Sequence, residues 1–162
     1  MSLSTRSCGT VPTTTMDDNI FRTLLRDLNT AKQRTVAAAF VESVLPLCSD
    51  PRISTVIALV KRGNVTSQEL EAAHQMVNAV RLESFCPSEK ETDWQIQFGH
   101  FVSRAVLDCV KPAREDINLA WDAAMNVRIA RTCECIALGD RILRQEAEIQ
   151  YRILSDFIHP QG

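Results

Sequence analysis

Apolar residues recur at intervals of three and four along most of the chain, which is the spacing of one face of an α-helix. The first apolar stripe comprises Ile20, Leu24, Leu25 and Leu28. The second comprises Val36, Phe40, Val44 and Leu47. Pro46 falls near the end of the second stripe, where a proline kinks or stops a helix. This pattern predicts helices from Asp17 onward, with a kink or an early stop near Pro46.

The clearest helix boundaries lie between residues 50 and 70. Asp50 is a good N-cap, Pro51 suits the first helical position, and Gly63 can adopt the left-handed conformation that ends a helix. Thr66 and Glu69 then match a capping box, in which each residue satisfies the backbone of the other. We therefore expect a third helix that ends at Gly63 and a fourth that starts just after Thr66.

The second half of the chain continues the helical pattern. The fourth helix should run to about Ser84, and the polar segment 86–93 is the one break long enough to be a real loop. A fifth helix from Trp94 to Cys109 holds much of the aromatic content and should be central to the core. Residues 114–158 contain no proline and one glycine, which favours two further helices broken at Gly139-Asp140 over one long bent helix.

The fold class follows from these elements. No segment combines alternating apolar and polar residues with β-branched enrichment over five or more positions, so we expect no sheet. The prediction is an all-α fold: a compact helical bundle of about six to seven helices, with orthogonal or short solenoid-like packing. With 162 residues the chain fits a single domain at 16–162, preceded by a disordered arm at 1–15 that is rich in Ser and Thr.

The lengths of the apolar runs and the balance of charge indicate which classes of partner to expect. No apolar run approaches the length of a membrane span, and the first sixteen residues lack the apolar core of a secretory signal, so a cytoplasmic location is expected. Acidic and basic residues nearly balance, 20 against 18, which gives no broad positive field for nucleic acid. We expect no membrane partner and no nucleic-acid partner.

Basic residues in the C-terminal third recur near helical spacing, at Arg128, Arg131, Arg141, Arg144 and Arg152. Such a stripe would suit an acidic partner or DNA. Acidic residues are interleaved with these arginines, which favours a solvated face with local ion pairs. A DNA-associated regulator is kept as an alternative function.

Two motifs could bind a metal. Glu71 and His74 are three residues apart, as in one half of a di-iron helical site, but the chain has only three histidines and no second Glu-x-x-His motif. Cys133 and Cys135 would lie about 200° apart on a helix and cannot chelate one ion without unwinding it. We expect a half-buried His74, one packed thiol and one partly exposed thiol. No cofactor or metal is predicted.

Catalytic motifs are missing from the sequence. It contains no Gly-x-Ser-x-Gly, no phosphate-binding glycine loop and no His-Glu-x-x-His. His100 and Cys109 are nine residues apart on one predicted helix, too far for a hydrogen bond. A nucleophile–base pair of His74 with Cys48 or Cys86 is geometrically possible, although no motif supports it. The six cysteines are interpreted as reduced. The prediction is a non-enzymatic protein.

Two segments resemble known proteins. The first, 37–79, holds Cys48, the Asp50-Pro51-Arg52 turn, a helix end at Gly63, and Glu69-Leu70 followed by alanines. The second, 150–160, holds Ile153-Leu154-Ser155-Asp156-Phe157-Ile158, which is similar to a Leu-Leu-Arg-Asp-Ile-Phe ending. Together they resemble an uncharacterised family of bacterial helical proteins common in planctomycete genomes. The pattern of residues in the first segment is also similar to the helical domain of bacterial immunity proteins. The resemblance implies a helical fold and carries no catalytic residue onto this chain.

The leading functional hypothesis is a protein–protein interaction module, in its narrower form an immunity-type inhibitor that binds a toxin. An acidic cluster around the long loop, Glu83, Glu89, Glu91 and Asp93, is the candidate partner-binding site, because complementary charge speeds association. The alternative of a different class is a small-molecule or metal-binding bundle in which Glu71 and His74 line a pocket. The apolar residues between Ile142 and Ile158 also predict a homodimer through the C-terminal helices.

Overall fold

A computed structural model describes residues 16–48, 50–84, 94–138 and 143–160. These residues form seven α-helices and one short 3₁₀ helix at Leu45–Leu47, with no strand among them. The helices are α1 Asp18–Asp27, α2 Thr30–Glu42, α3 Pro51–Arg62, α4 Ser67–Ser84, α5 Trp94–Val110, α6 Leu119–Leu138 and α7 Leu143–Ile158. The prediction of an all-α helical bundle is confirmed.

The first three helices begin at side-chain caps. Asp17, Asn29 and Asp50 each accept a hydrogen bond from a backbone N–H two or three residues later, at 2.9 Å. Each bond satisfies one of the donors that a helix N-terminus leaves without an intrahelical partner. Asp50 was predicted from the sequence. The break between α1 and α2 at Asn29 was not identified.

The turn between α3 and α4 has the predicted geometry. Gly63 has φ 91°, in the left-handed region that favours glycine. The Thr66 backbone N–H donates to Glu69 Oε2 at 2.8 Å, and the Glu69 backbone N–H donates to Thr66 Oγ1 at 3.2 Å. The capping box is therefore confirmed.

The core lies where α2, α5 and α6 pack against one another. Small residues dominate the face of α6 that meets the core: Ala120, Ala123, Ala124 and Ala130 are completely buried. Larger side chains fill the space between the helices, among them Phe21, Phe40, Phe98, Ile53 and Leu154. The predicted central position of the fifth helix is confirmed.

The helix stop predicted near Pro46 is confirmed, whereas the start of α6 differs from the helical pattern. α2 ends at Glu42, before Pro46, which lies in the 3₁₀ helix. α6 begins at Leu119, so the expectation of helix from residue 114 is wrong for 114–118. The Asn118 side chain caps α6 by accepting from the Trp121 backbone N–H at 3.1 Å, and capping residues favour helix ends over helix interiors.

Some predictions fall outside the described residues: the N-terminal arm at 1–15, the helix break at Gly139-Asp140 and the loop 86–93. None of the helices in the described ranges has both the length and the apolar character needed to cross a bilayer.

Candidate functional site

The structure describes one residue of the predicted acidic site. Glu83 lies near the C-terminal end of α4, and its carboxylate is paired with Arg52, with Nη2 to Oε2 at 2.6 Å. Arg52 also pairs with Asp50 at 2.8 Å. The guanidinium of Arg52 lowers the pKa of Glu83. Glu83 is thus engaged within the protein, whereas Glu89, Glu91 and Asp93 lie outside the described residues.

The predicted metal-site residues are dispersed. Glu71 is exposed on α4 and accepts a hydrogen bond from Gln75 at 3.0 Å, and His74 is half-buried. On α6, Cys135 is buried and Cys133 is half-buried, as expected. Within the described ranges, no three His, Cys, Asp or Glu side chains come together as metal ligands would.

Arg128 and Arg131 correct the prediction of a solvated basic face. Their side chains are only 19% and 22% exposed, and both point into the protein. Each lies four residues after a buried position of the core face, Ala124 and Val127 respectively. That spacing places them on the inner side of α6, a signal that was available in the sequence.

Arg128 joins α6 to α1 and α7. Its Nε donates to Gln150 Oε1 at 2.8 Å, and its Nη1 donates to Asp18 Oδ2 at 3.0 Å. Tyr151 Oη donates to the other oxygen of Asp18 at 2.6 Å. The guanidinium also lies over the rings of Phe21 and Tyr151, at 5.6 and 5.7 Å from their centroids. These contacts hold the first and last helices, α1 and α7, against α6.

Arg131 joins α6 to α7 and to the end of α2. It donates to Glu146 at 3.1 Å, to Glu134 at 2.8 Å and to the backbone carbonyl of Ser43 at 3.2 Å. The Glu146 side chain is only 3% exposed. Burial raises the pKa of Glu146, and the nearby Arg131 opposes that rise. The pair therefore forms a partnered charge inside the bundle, and the Ser43 hydroxyl also donates to Glu146 Oε1 at 3.5 Å.

Arg34 has a similar structural role at the other end of the core. It is 9% exposed, and its Nη1 donates to the carbonyls of Cys109 and Lys111 at 2.8 and 2.9 Å. Those carbonyls belong to the C-terminal end of α5, where a helix lacks intrahelical donors and carries partial negative charge. Burial raises the pKa of the Cys109 thiol. This neutral, enclosed thiol is unsuited to act as a nucleophile.

The side of α6 that faces away from the core exposes large apolar side chains, next to Asp122, which is paired with Lys111. Nine residues at about 100° each place Ile129 opposite the buried Ala120. Ile129 is 41% exposed and Ile136 is 77% exposed. We call this surface the outer face of α6; it comprises Met125, Ile129, Thr132, Cys133 and Ile136. A surface helix normally carries polar residues there. This face was not predicted from the sequence.

A polar cavity of about 450 Å³ lies between α4, α5 and α6. Its lining residues are Arg81 from α4, His100, Arg104, Leu107 and Asp108 from α5, and Asn126 from α6. The spacing of the α5 residues on one helix face was visible in the sequence. The approach of Arg81 was not, because it depends on how α4 packs on α5.

Comparison of the chain with protein-family models, with curated proteins and with solved structures gives no match.

Proposed function

We propose that this protein is a non-enzymatic interaction module that binds a helix of a partner protein on the outer face of α6. The observation that carries the proposal is that α6 exposes large apolar side chains on the side opposite the core. Its inner side packs against the core, whereas Ile129 and Ile136 project from the opposite side. Exposed apolar side chains that share one surface mark interaction sites when they form a patch, so a binding partner would bury Ile129 and Ile136.

The spacing of the side chains on this face, exposed at Ile129 and Ile136 and half-buried at Met125 and Thr132, favours a helical partner. Met125, Ile129, Thr132 and Ile136 follow one another at intervals of four, three and four. This is the spacing at which side chains of one helix insert between those of another in a coiled coil. The stripe extends over twelve residues, 125–136, and its ends lie about 17 Å apart along the axis. It therefore fits about three turns of an amphipathic helix.

The size of the stripe favours a different protein over a second copy. A specific interface buries about 800 Å² on each partner. A second copy would place the same single row of side chains against itself. A partner that surrounds its helix with further surface can reach the required area. The apolar residues of α7 add little for a dimer, because Leu154 is completely buried and Phe157 is packed against the core.

The narrower hypothesis, an immunity-type inhibitor of a toxin, concerns the acidic residues Glu83, Glu89, Glu91 and Asp93. A basic toxin would be attracted by these charges, and its association rate would fall steeply with added salt. Binding on the outer face of α6 depends on apolar burial and would be less sensitive to salt. The inward orientation of Arg128 and Arg131 leaves less basic surface for the alternative of a DNA-associated regulator.

A photo-crosslinking amino acid at position 136 tests the proposal in the organism that makes the protein. Position 96 on α5 is the control, because Ile96 is also an exposed isoleucine. The expected result is one major cross-linked partner from position 136, attached within an amphipathic helical segment, and none from position 96. Cross-links to a second copy, to another segment of the same chain, or equally from both positions would contradict the proposal.

A further inference from the structure

We infer that the cavity between α4, α5 and α6 binds a small organic anion through Arg81 and Arg104. The cavity, at about 450 Å³, lies within the size range of sites for small molecules and is too small for a macromolecule. It shares no residue with the outer face of α6. The inference is therefore independent of the function proposed above.

Basic side chains from two helices converge on this cavity. Arg81 comes from α4, and His100 and Arg104 come from successive turns of α5. Burial lowers the pKa of His100, and the positive charges of Arg104 and Arg81 lower it further. All three side chains line the same cavity. An anion between the two guanidinium groups would be attracted by both.

The geometry of the arginines suits a carboxylate or a phosphate. Arg81 is held in place by Asn78, whose Oδ1 accepts from Arg81 Nη2 at 3.0 Å and from Nε at 3.3 Å. Arg104 lies over the Phe101 ring, at 5.6 Å from the centroid, and is exposed toward solvent. Guanidinium groups bind planar or tetrahedral oxyanions with two parallel hydrogen bonds. The Nε–Nη2 edge of Arg81 is engaged by Asn78, so Arg104 is the arginine that presents this edge to an incoming ligand, while Arg81 contributes positive charge to the lining.

The acidic residue of the lining, Asp108, is already paired within the protein. Asp108 is 8% exposed and accepts from Lys111 Nζ at 2.8 Å and from Asn126 Nδ2 at 2.7 Å. Its negative charge is thus compensated within the protein. Leu107 adds an apolar portion to the lining. The lining therefore fits a ligand that has an anionic group at one end and a short carbon skeleton at the other.

NMR titration tests this inference with inorganic phosphate and succinate as separate probes, and with sodium chloride as the ionic-strength control. The ring protons of His100 report on the cavity. We expect saturable shifts with at least one probe, at millimolar dissociation constants. Phosphate alone would indicate a phosphorylated ligand, and succinate alone would indicate a carboxylate ligand. Shifts that sodium chloride reproduces, or no shift with either probe, would overturn the inference.

Arg104→Gln provides the second measurement, because this exposed residue can be changed without disturbing the core. Loss of a charged hydrogen-bond donor should weaken binding at least about tenfold. The matched control is Arg152→Gln on the exposed surface of α7, which should bind as the wild type does. Circular dichroism would establish that both variants are folded. Equal affinity of Arg104→Gln and the wild type would overturn the inference.

Discussion

Replacement of Arg131 by Met should be among the most destabilising single changes in this protein. The substitution removes three hydrogen bonds, to Glu146, Glu134 and the Ser43 carbonyl. After the substitution, water can reach the Glu134 carboxylate, because that side chain is 20% exposed. Water cannot reach the Glu146 carboxylate in the same way, because that side chain is only 3% exposed. Breaking a buried ion pair by removing one partner costs about 3–5 kcal/mol, because a charge is left buried and unpaired. We expect Arg131→Met to lower the free energy of unfolding by about this amount.

Urea unfolding followed by circular dichroism measures the change, and a double-mutant cycle separates its causes. If most of the loss comes from the stranded charge of Glu146, the double variant Arg131→Met with Glu146→Leu should be more stable than Arg131→Met alone. The coupling energy should reach about 2 kcal/mol, within the range found for residues in contact. A loss below about 1 kcal/mol in Arg131→Met, or strictly additive effects in the cycle, would refute this reasoning.

The same variant has a predicted dependence on pH. Burial raises the pKa of Glu146 above its ordinary value of 4.5, so the folded state binds more protons than the unfolded state just above that pH. Such a group lowers stability as the pH rises through this window. Without Arg131 the effect should be larger, so the stability difference between variant and wild type should widen from pH 4.5 to pH 7. A difference that is constant over this range would contradict the assignment.

Three further predictions concern local features. Gly63→Ala should lower stability by about 1 kcal/mol, because φ is 91° there. In contrast, Gly99→Ala within α5 should raise stability by up to about 1 kcal/mol, because an added Cβ would meet nothing within 4 Å; urea unfolding of both variants checks this pair. Thr66→Ala should cost about 1 kcal/mol through loss of the capping box, measured in the same way. Under native conditions, alkylation followed by peptide mapping should modify Cys133 well before the buried Cys109.

Local sequence signals were sufficient for the parts of the fold that depend on neighbouring residues. The Asp50 cap, the turn at Gly63 and the capping box at Thr66 require only contacts within a few positions along the chain. Asn29 was missed because the apolar stripes of α1 and α2 lie close together without a proline or glycine between them. Its cap could have been identified from the residue type alone.

The sites depend on contacts between distant segments, and this explains why they were harder to predict. The interleaved acidic residues near Arg131 suggested local ion pairs, but its partners also include Glu146 on α7 and the Ser43 carbonyl at the end of α2. The cavity requires α4 to bring Arg81 beside α5. The outer face of α6 was detectable in principle, because Ile129 and Ile136 share a helix face opposite the buried alanines.

The most direct test of the proposed function is the affinity of the cross-linked partner for two matched variants, measured by isothermal titration calorimetry. Ile129 and Ile96 are equally exposed, at 41%, so their replacement by Asp makes the same chemical change on two different helices. We predict that Ile129→Asp weakens binding at least about tenfold, since a charge would enter an apolar interface, whereas Ile96→Asp binds as the wild type does. Equal affinities for the two variants would contradict the proposal that the outer face of α6 is the binding site.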